Sequence, residues 1–209
     1  MIEFLNSLKS RKGFNNPFKH WEIKHPLNQE TINEINLASV PEGEHKYDGT
    51  RAADYTGGGV DGKLRLFIDK ANSQKYPNLT TLLRILQSKE CQKIVSECIQ
   101  KDLSNSFVRL EIIADKIGFW LKPHKDIQEK VMTMMIWVNM YDESRNLGTD
   151  FYDQDFKLVK TAQYINNTGY FFSSGNDTWH GLEKKKIIKE RRCIQLNYVK
   201  FNTDWPVEK

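Results

Sequence analysis

The sequence lacks the features that mark secreted or membrane proteins. Only three of its 209 residues are cysteine, and no two of them form a Cys-x-x-Cys pair, which is typical of a reducing compartment. No stretch approaches the roughly twenty apolar residues that a membrane helix needs. The first 18 residues contain no long apolar run before a cleavage site, so no secretion signal is expected. We therefore expect a cytoplasmic protein that does not enter a membrane.

The sequence also lacks a strong excess of charge of one sign. Lys and Arg number 31 against 27 Asp and Glu, and the densest basic run, residues 184–186, lies between Glu183 and Glu190. Nucleic acid is therefore not an expected partner, since binding it would require basic residues gathered on one face. Aromatic residues make up 11% of the chain, which excludes wholesale disorder. The length suits a single domain spanning residues 1–209.

The N-terminal half is predicted to contain short strands at 18–23 and 64–68 and at least three helices. Asn28 is positioned to cap the first helix, Pro77 precedes a leucine-rich second helix, and Ser88 caps the third. Cys91 and Cys98 lie on the apolar face of that third helix and are interpreted as core residues. The positions expected to be buried are Ile32, Ile35, Leu37, Leu79, Leu82, Leu83, Leu86, Cys91, Ile94, Val95 and Cys98.

A glycine-rich segment, residues 39–63, separates these elements. It lacks the Gly-Lys-Ser/Thr ending of a phosphate-binding loop, and no apolar strand leads into it. Its central part, residues 49–62, is interpreted either as a lid that closes over a substrate or as a surface loop without a function.

From residue 106 onward the pattern changes to short alternating strands separated by turn residues. The strands are expected at 107–114, 131–139, 149–152, 169–173, 178–182 and 193–199. Many short strands without helices between them indicate an antiparallel sandwich or jelly roll. The sequence therefore predicts a mainly β, α+β fold. Residues 1–105 would form a cover with helices packed on the outside, and residues 106–209 would form the β core.

Two of the five histidines lie where they can meet a carboxylate inside that core. His124 and Asp126 are two residues apart on an extended segment and can therefore face the same way. His180 can approach from a neighbouring strand. Two histidines and one carboxylate hold Fe(II) on one face and leave open positions on the other. The alternative is a surface His–Asp pair and an unrelated histidine at the edge of the core.

A basic side chain points toward the same interior. Strand alternation places Arg191, Cys193 and Gln195 on one face and Arg192, Ile194 and Leu196 on the other. A guanidinium that faces a pocket favours a carboxylate partner, because the two pair in a bidentate geometry. A metal-binding face with an inward arginine nearby is suited to a dicarboxylate that chelates the metal through one end.

These motifs, taken in order, resemble the Fe(II)- and 2-oxoglutarate-dependent dioxygenases, especially the prolyl-hydroxylase-like members of phage and bacteria. The stretches that carry the resemblance are 118–126 (Gly-Phe-Trp-Leu-Lys-Pro-His-Lys-Asp), 130–139, 147–152, 167–172 and 179–181, followed by Arg191. The resemblance implies a double-stranded β-helix, a variant of the jelly roll. It implies Fe(II) ligation by His124, Asp126 and His180 and binding of the distal 2-oxoglutarate carboxylate by Arg191.

One position departs from the family pattern. Four residues after Thr133, where the prolyl hydroxylases usually have a tyrosine that contacts 2-oxoglutarate, this chain has Trp137. An indole N–H donates a single hydrogen bond with a different reach. The second contact to the cosubstrate is therefore assigned to Trp137 or to a hydroxyl such as that of Thr133 or Ser173.

The resemblance implies an enzyme that consumes O2 and 2-oxoglutarate, releases succinate and CO2, and hydroxylates an unidentified small molecule. The alternatives are a jelly-roll sensor that binds metal and 2-oxoglutarate without turnover, and an oxygenase of the same family that modifies nucleic acid or peptide. On the predicted strand at 107–114, Arg109 and Glu111 are interpreted as an exposed cross-strand pair or as residues at the mouth of the pocket. The sequence does not indicate an oligomeric state.

Overall fold

The computed structural model describes residues 2–42 and 64–209. The glycine-rich run 49–62, and with it the lid hypothesis, lies outside the described residues. The helices are α1 (Ile2–Lys9), α2 (Gln29–Leu37), α3 (Pro77–Gln87) and α4 (Lys89–Ile99). No helix in the described ranges has the length and apolar character needed to cross a membrane.

The helix ends follow the capping residues that the sequence predicts. The Asn28 side chain accepts a hydrogen bond from the N–H of Thr31, and the Ser88 hydroxyl accepts one from the N–H of Cys91. The leucines of α3 are buried as expected. The expectation for Leu37 is wrong, because this residue is 85% exposed. Residues two apart on a helix point to nearly opposite sides, so burying Ile35 turns Leu37 to solvent.

The strands of the described residues form two antiparallel sheets. The larger sheet runs in the order β1 (Lys12–Phe14), β2 (His20–Lys24), β9 (Thr168–Phe172), β6 (Lys130–Trp137), β11 (Glu190–Val199) and β4 (Phe107–Lys116). At its far edge both β3 (Leu64–Phe67) and β12 (Trp205–Pro206) pair with β4. The smaller sheet has the order β5 (Leu121–His124), β10 (His180–Leu182), β7 (Asp150–Tyr152) and β8 (Leu158–Thr161).

Side-chain alternation in the larger sheet produces two separate cores. Leu110 and Ile112 of β4 and Ile194 of β11 lie on its outer face, in one apolar cluster with leucines of α3 and residues of α4. Ile113 and Cys193 lie on the inner face, in a second cluster with residues of the smaller sheet. Because every second residue of a strand faces the same side, both faces of the larger sheet are covered. The interior between the two sheets is where inward polar side chains meet.

Two strands of the smaller sheet have no counterpart in the sequence-based prediction. β5 contains Pro123 and only four residues, and β8 is exposed or half-buried along its length. Neither segment shows a clear apolar alternation, so pairing with neighbouring strands decides their conformation. β5 is the strand that carries His124.

Candidate metal centre

Two strands of the smaller sheet bring the two histidines together. His124 of β5 and His180 of β10 are direct partners in the antiparallel ladder, and their ring centroids are 4.4 Å apart. Asp126 lies two residues after His124, in the connection to β6. Ligand atoms of these three side chains all lie within 4.8 Å of one another. The three residues selected from the sequence therefore form one cluster.

The close approach of the two strands depends on a glycine. A Cβ atom on Gly181 would lie 2.6 Å from the carbonyl oxygen of Leu121 on β5. Real Cβ atoms do not approach backbone oxygen that closely, so a larger residue would push β5 and β10 apart at the histidine pair. The Trp179-His180-Gly181 motif thus combines a ligand with the residue that allows its strand to pack.

Backbone carbonyls orient both imidazole rings. Nδ1 of His124 lies 3.0 Å from the Lys122 oxygen, and Nδ1 of His180 lies 2.9 Å from the Thr178 oxygen. Since a carbonyl oxygen only accepts hydrogen bonds, the ring proton belongs on Nδ1 in each case. Nε2 of each ring is then the nitrogen left available for binding a metal.

The carboxylate of Asp126 is ionised and held on both oxygens. Lys130 Nζ donates to Oδ1 at 2.9 Å, and the Thr133 hydroxyl donates to Oδ2 at 2.6 Å. Burial raises the pKa of this carboxyl, but the charges of Lys130 and His180 and the bond from Thr133 lower it by more, so the pKa of Asp126 lies well below its ordinary value. Two imidazoles and one carboxylate on one side suit a divalent ion such as Fe(II).

Arg191 lines the same cavity as the His–Asp–His cluster, on the inner face of β11. Its guanidinium forms an ion pair with Asp115, and its Nε donates to the Leu147 carbonyl. Its Cζ atom lies 4.7 Å from the centroid of the Trp137 ring. Burial disfavours the charged form, yet the Asp115 carboxylate outweighs it and raises the pKa of Arg191. The cavity encloses about 460 Å³ including its open mouth, and Arg191 lines it together with the cationic residues Arg65 and Lys130.

The neighbouring Arg192 points the opposite way, as alternation predicts. Its guanidinium donates to the carbonyls of Ile35, Asn36 and Ala38 at the C-terminal end of α2 and pairs with Glu190. A cation at this end of a helix satisfies carbonyls that have no partner within the helix. Arg192 therefore attaches α2 to the outer face of the sheet.

Of the other three candidates for cosubstrate binding, one lines the cavity. Thr133 does so, with its hydroxyl directed to Asp126. Trp137 is 1% exposed and packs behind the Arg191 guanidinium. The Ser173 hydroxyl donates to the Val131 carbonyl at 3.0 Å, and Ser173 is not among the described residues that line the cavity.

Sequence reasoning missed several polar residues of the cavity. Tyr170 on β9 lines it, and its hydroxyl donates to Thr149 at 2.8 Å. Burial raises the pKa of Tyr170, so the phenol keeps its proton. The alternation of 169–172 could have indicated Tyr170, since it shares a face with Phe172 and both lie in the interior core cluster. Asp115 could not have been found this way, because its role depends on pairing with β11.

The interpretation of Arg109 and Glu111 as an exposed pair is wrong. Glu111 is fully buried and Arg109 is 9% exposed, on the inner face of β4. Glu111 lies 3.2 Å from Arg65, which lines the cavity, and 3.7 Å from Arg109. Strand β3 pairs with residues 111–114 of β4, so the edge of β4 near Glu111 is not open to solvent.

Neither family models nor curated proteins match this sequence. Solved structures do resemble its fold. A Pseudomonas putida prolyl-4-hydroxylase matches with a TM-score of 0.59 at 9% identity, over 97% of this chain and all of the other. A Trichoplax adhaerens prolyl hydroxylase, in complex with a hypoxia-inducible-factor peptide fragment, matches with 0.58 at 17% identity, over 95% and 88% of the two chains.

A third similar structure is a prolyl 4-hydroxylase from Phytophthora capsici, with a TM-score of 0.56 at 12% identity, over 99% of this chain and 64% of the other. The three matches confirm, at the level of fold, the prolyl-hydroxylase-like resemblance that the motifs indicate. The fold is therefore mainly β with antiparallel sheets and is similar to that of these prolyl hydroxylases.

Proposed function

We propose that this protein is an Fe(II)- and 2-oxoglutarate-dependent oxygenase that hydroxylates a small molecule and releases succinate and CO2. The observation that carries the proposal is the meeting of His124, Asp126, His180 and Arg191 in one cavity between the sheets. The similarity in fold to prolyl hydroxylases supports the class of reaction. Fold alone does not select a substrate, which is set by the walls of the site.

The two imidazoles and Asp126 would hold Fe(II), which supplies the oxidative chemistry together with O2 and 2-oxoglutarate. The protein contributes the orientation of these ligands. The Lys122 and Thr178 carbonyls keep the ring protons on Nδ1, and the charges near Asp126 keep its carboxylate ionised.

Arg191 would bind the distal carboxylate of 2-oxoglutarate. Asp115 and the Trp137 ring hold its guanidinium in place, so little side-chain freedom is lost on binding. The Thr133 hydroxyl already donates to Asp126, and Ser173 donates to a backbone carbonyl. We assign the second contact with the cosubstrate to Tyr170, which lines the same cavity. Its hydroxyl donates to the hydroxyl of Thr149, a neutral partner that a carboxylate of the cosubstrate can replace, since a bond to a charged acceptor is stronger.

A peptide side chain is the second candidate substrate. The Trichoplax protein of similar fold is seen in complex with a peptide fragment. Measuring succinate release with a panel of small molecules and a panel of short peptides separates the two candidates, because the substrate couples 2-oxoglutarate consumption to its own oxidation.

The first test is an anaerobic titration of Fe(II) and 2-oxoglutarate into the metal-free protein. Binding is monitored through the weak visible charge-transfer band of the chelate. We expect the band in the wild type and its loss in His180→Ala. Arg191→Met should weaken 2-oxoglutarate binding. The double variant Arg191→Met/Asp115→Asn should weaken it equally, and it does so without leaving an unpaired buried carboxylate.

Arg192→Met is the matched control, because Arg192 lies next to Arg191 in sequence but on the other face of the sheet. It should bind 2-oxoglutarate like the wild type. A wild-type protein that shows neither the band nor 2-oxoglutarate binding would reject the oxygenase proposal. Binding of both ligands without succinate release on any substrate panel would favour the sensor.

A further inference from the structure

A line of hydrogen bonds runs from Asp126 into the larger sheet. The Thr133 hydroxyl donates to Asp126 Oδ2, and Asn197 Nδ2 donates to Thr133 Oγ1 at 2.9 Å. We propose that Thr133 and Asn197 are positioning residues that orient Asp126 for metal binding, an inference that rests on the oxygenase function proposed above. Neither residue touches the substrate or the metal in this role.

The orientation of the Asn197 amide is determined by its neighbours. Its Oδ1 accepts hydrogen bonds from Arg109 and from Gln195, each at 3.1 Å. Arginine has no acceptor, so a rotated amide would place its NH2 group against the Arg109 guanidinium. The amide nitrogen must therefore face Thr133 and the Met132 carbonyl.

This orientation sets the direction of the Thr133 hydroxyl. A hydroxyl carries a single proton, and the Thr133 oxygen already accepts from Asn197. Its proton is therefore directed to Asp126, at the short distance of 2.6 Å that is typical of a hydroxyl bonded to a carboxylate. The order of donors runs from Arg109 through Asn197 and Thr133 to the metal ligand.

Asp126 needs hydrogen bonds to its side chain because its backbone is not held in a strand. His124 and His180 lie on paired strands, whereas Asp126 lies in the connection between β5 and β6, outside the ladder. Thr133 and Asn197 are direct partners across β6 and β11, and Asn197 is the partner of Arg109 across β11 and β4. Three central strands of the sheet thus fix a carboxylate that belongs to a loop. Outer groups of this kind typically change metal affinity by about 10- to 100-fold.

The test measures Co(II) affinity of the metal-free protein by equilibrium dialysis, without 2-oxoglutarate or substrate. Thr133→Val removes the hydroxyl with little change of shape and should weaken Co(II) binding by about 10- to 100-fold. Thr133→Ser keeps the hydroxyl and should bind close to the wild type. Circular dichroism and thermal unfolding of the metal-free variants show whether each one folds.

Asn197→Asp separates orientation from charge. The new carboxylate still accepts from Arg109 and Gln195, but its other oxygen accepts the Thr133 proton and turns the hydroxyl away from Asp126. The added negative charge alone would tighten Co(II) binding, so weaker binding identifies the reversed hydroxyl. The double variant Asn197→Asp/Thr133→Val should bind Co(II) no more weakly than Thr133→Val alone. Both substitutions remove the same interaction, the hydrogen bond from Thr133 to Asp126, so their effects do not add.

Wild-type affinity in Thr133→Val, loss of affinity in Thr133→Ser equal to that in Thr133→Val, or tighter binding in Asn197→Asp would each overturn the inference. Should Thr133→Val fail to fold, the comparison of Asn197→Asp with the wild type decides alone. The proposed function fails separately, if the wild type does not bind Co(II) or if His124→Ala binds it equally well.

Discussion

At the scale of single residues, the charge of Arg191 is buried together with an opposite charge. Asp115 is fully buried and Arg191 is 2% exposed, and the two form an ion pair on neighbouring strands of the larger sheet. Removing one partner of such a pair leaves the other desolvated and uncompensated. The pair is therefore expected to affect stability as well as the position of the guanidinium that we propose as the 2-oxoglutarate contact.

We predict that Asp115→Asn lowers the free energy of unfolding by about 3–5 kcal/mol, because it leaves the Arg191 charge buried without a counter-charge. Urea denaturation followed by circular dichroism measures the change. Asp155→Asn is the control, since Asp155 is exposed, and it should leave the unfolding free energy nearly unchanged. An Asp115→Asn protein as stable as the wild type would show that the Arg191 charge is compensated by other groups.

At the scale of elements, strand β11 contributes both to the cavity between the sheets and to the attachment of helix α2. β11 directs Arg191 to the cavity and Arg192 to the end of α2, because adjacent residues of a strand face opposite sides. The chemistry of the site and the attachment of the helix are thus encoded in two consecutive arginines. Their substitutions should have different consequences.

We predict that Arg192→Met lowers the free energy of unfolding by about 2 kcal/mol or more, since hydrogen bonds from a charged group to three carbonyls are lost. Isothermal calorimetry should show unchanged 2-oxoglutarate affinity in this variant, whereas Arg191→Met loses that affinity. The assignment of the two faces would be contradicted if Arg192→Met lost 2-oxoglutarate binding while its stability stayed that of the wild type.

At the scale of the whole molecule, a histidine connects the edges of the two sheets. His20 of β2 is fully buried, with its Nδ1 bonded to the Phe18 carbonyl and its Nε2 3.0 Å from Lys160 of β8. Lys160 in turn pairs with Glu22 at 2.6 Å. Burial lowers the pKa of His20, and the charge of Lys160 lowers it further. The neutral ring is therefore part of the folded structure.

We predict that the protein loses stability as the pH falls below about 6.5, the ordinary pKa of histidine. The unfolded chain takes up a proton at His20 in this range and the folded chain does not, so protonation favours unfolding. Unfolding free energies measured between pH 5 and pH 7 should show a smaller slope in His20→Gln than in the wild type. His25→Asn, at an exposed histidine, should keep the wild-type slope.

The sequence by itself determined most of the helices and predicted which residues would form the site. Capping residues and leucine spacing located α2, α3 and α4, and alternation separated Arg191 from Arg192. His124, Asp126 and His180, together with the family resemblance of the motifs around them, predicted a metal-binding face, and the structure brings their ligand atoms within 4.8 Å of one another. The helix ends and the two faces of a strand depend on neighbours within a few residues, which the sequence displays directly.

Only the tertiary structure decided which of these residues meet, and with what support. The partners of Arg191 and Asp126 that matter most, Asp115 and Asn197, are distant in sequence and come close through strand pairing. Alternation tells which face a side chain occupies but not which strand lies beside it, and that choice follows from the register of the whole sheet. Trp137 therefore packs behind Arg191, while Tyr170 occupies the cavity wall.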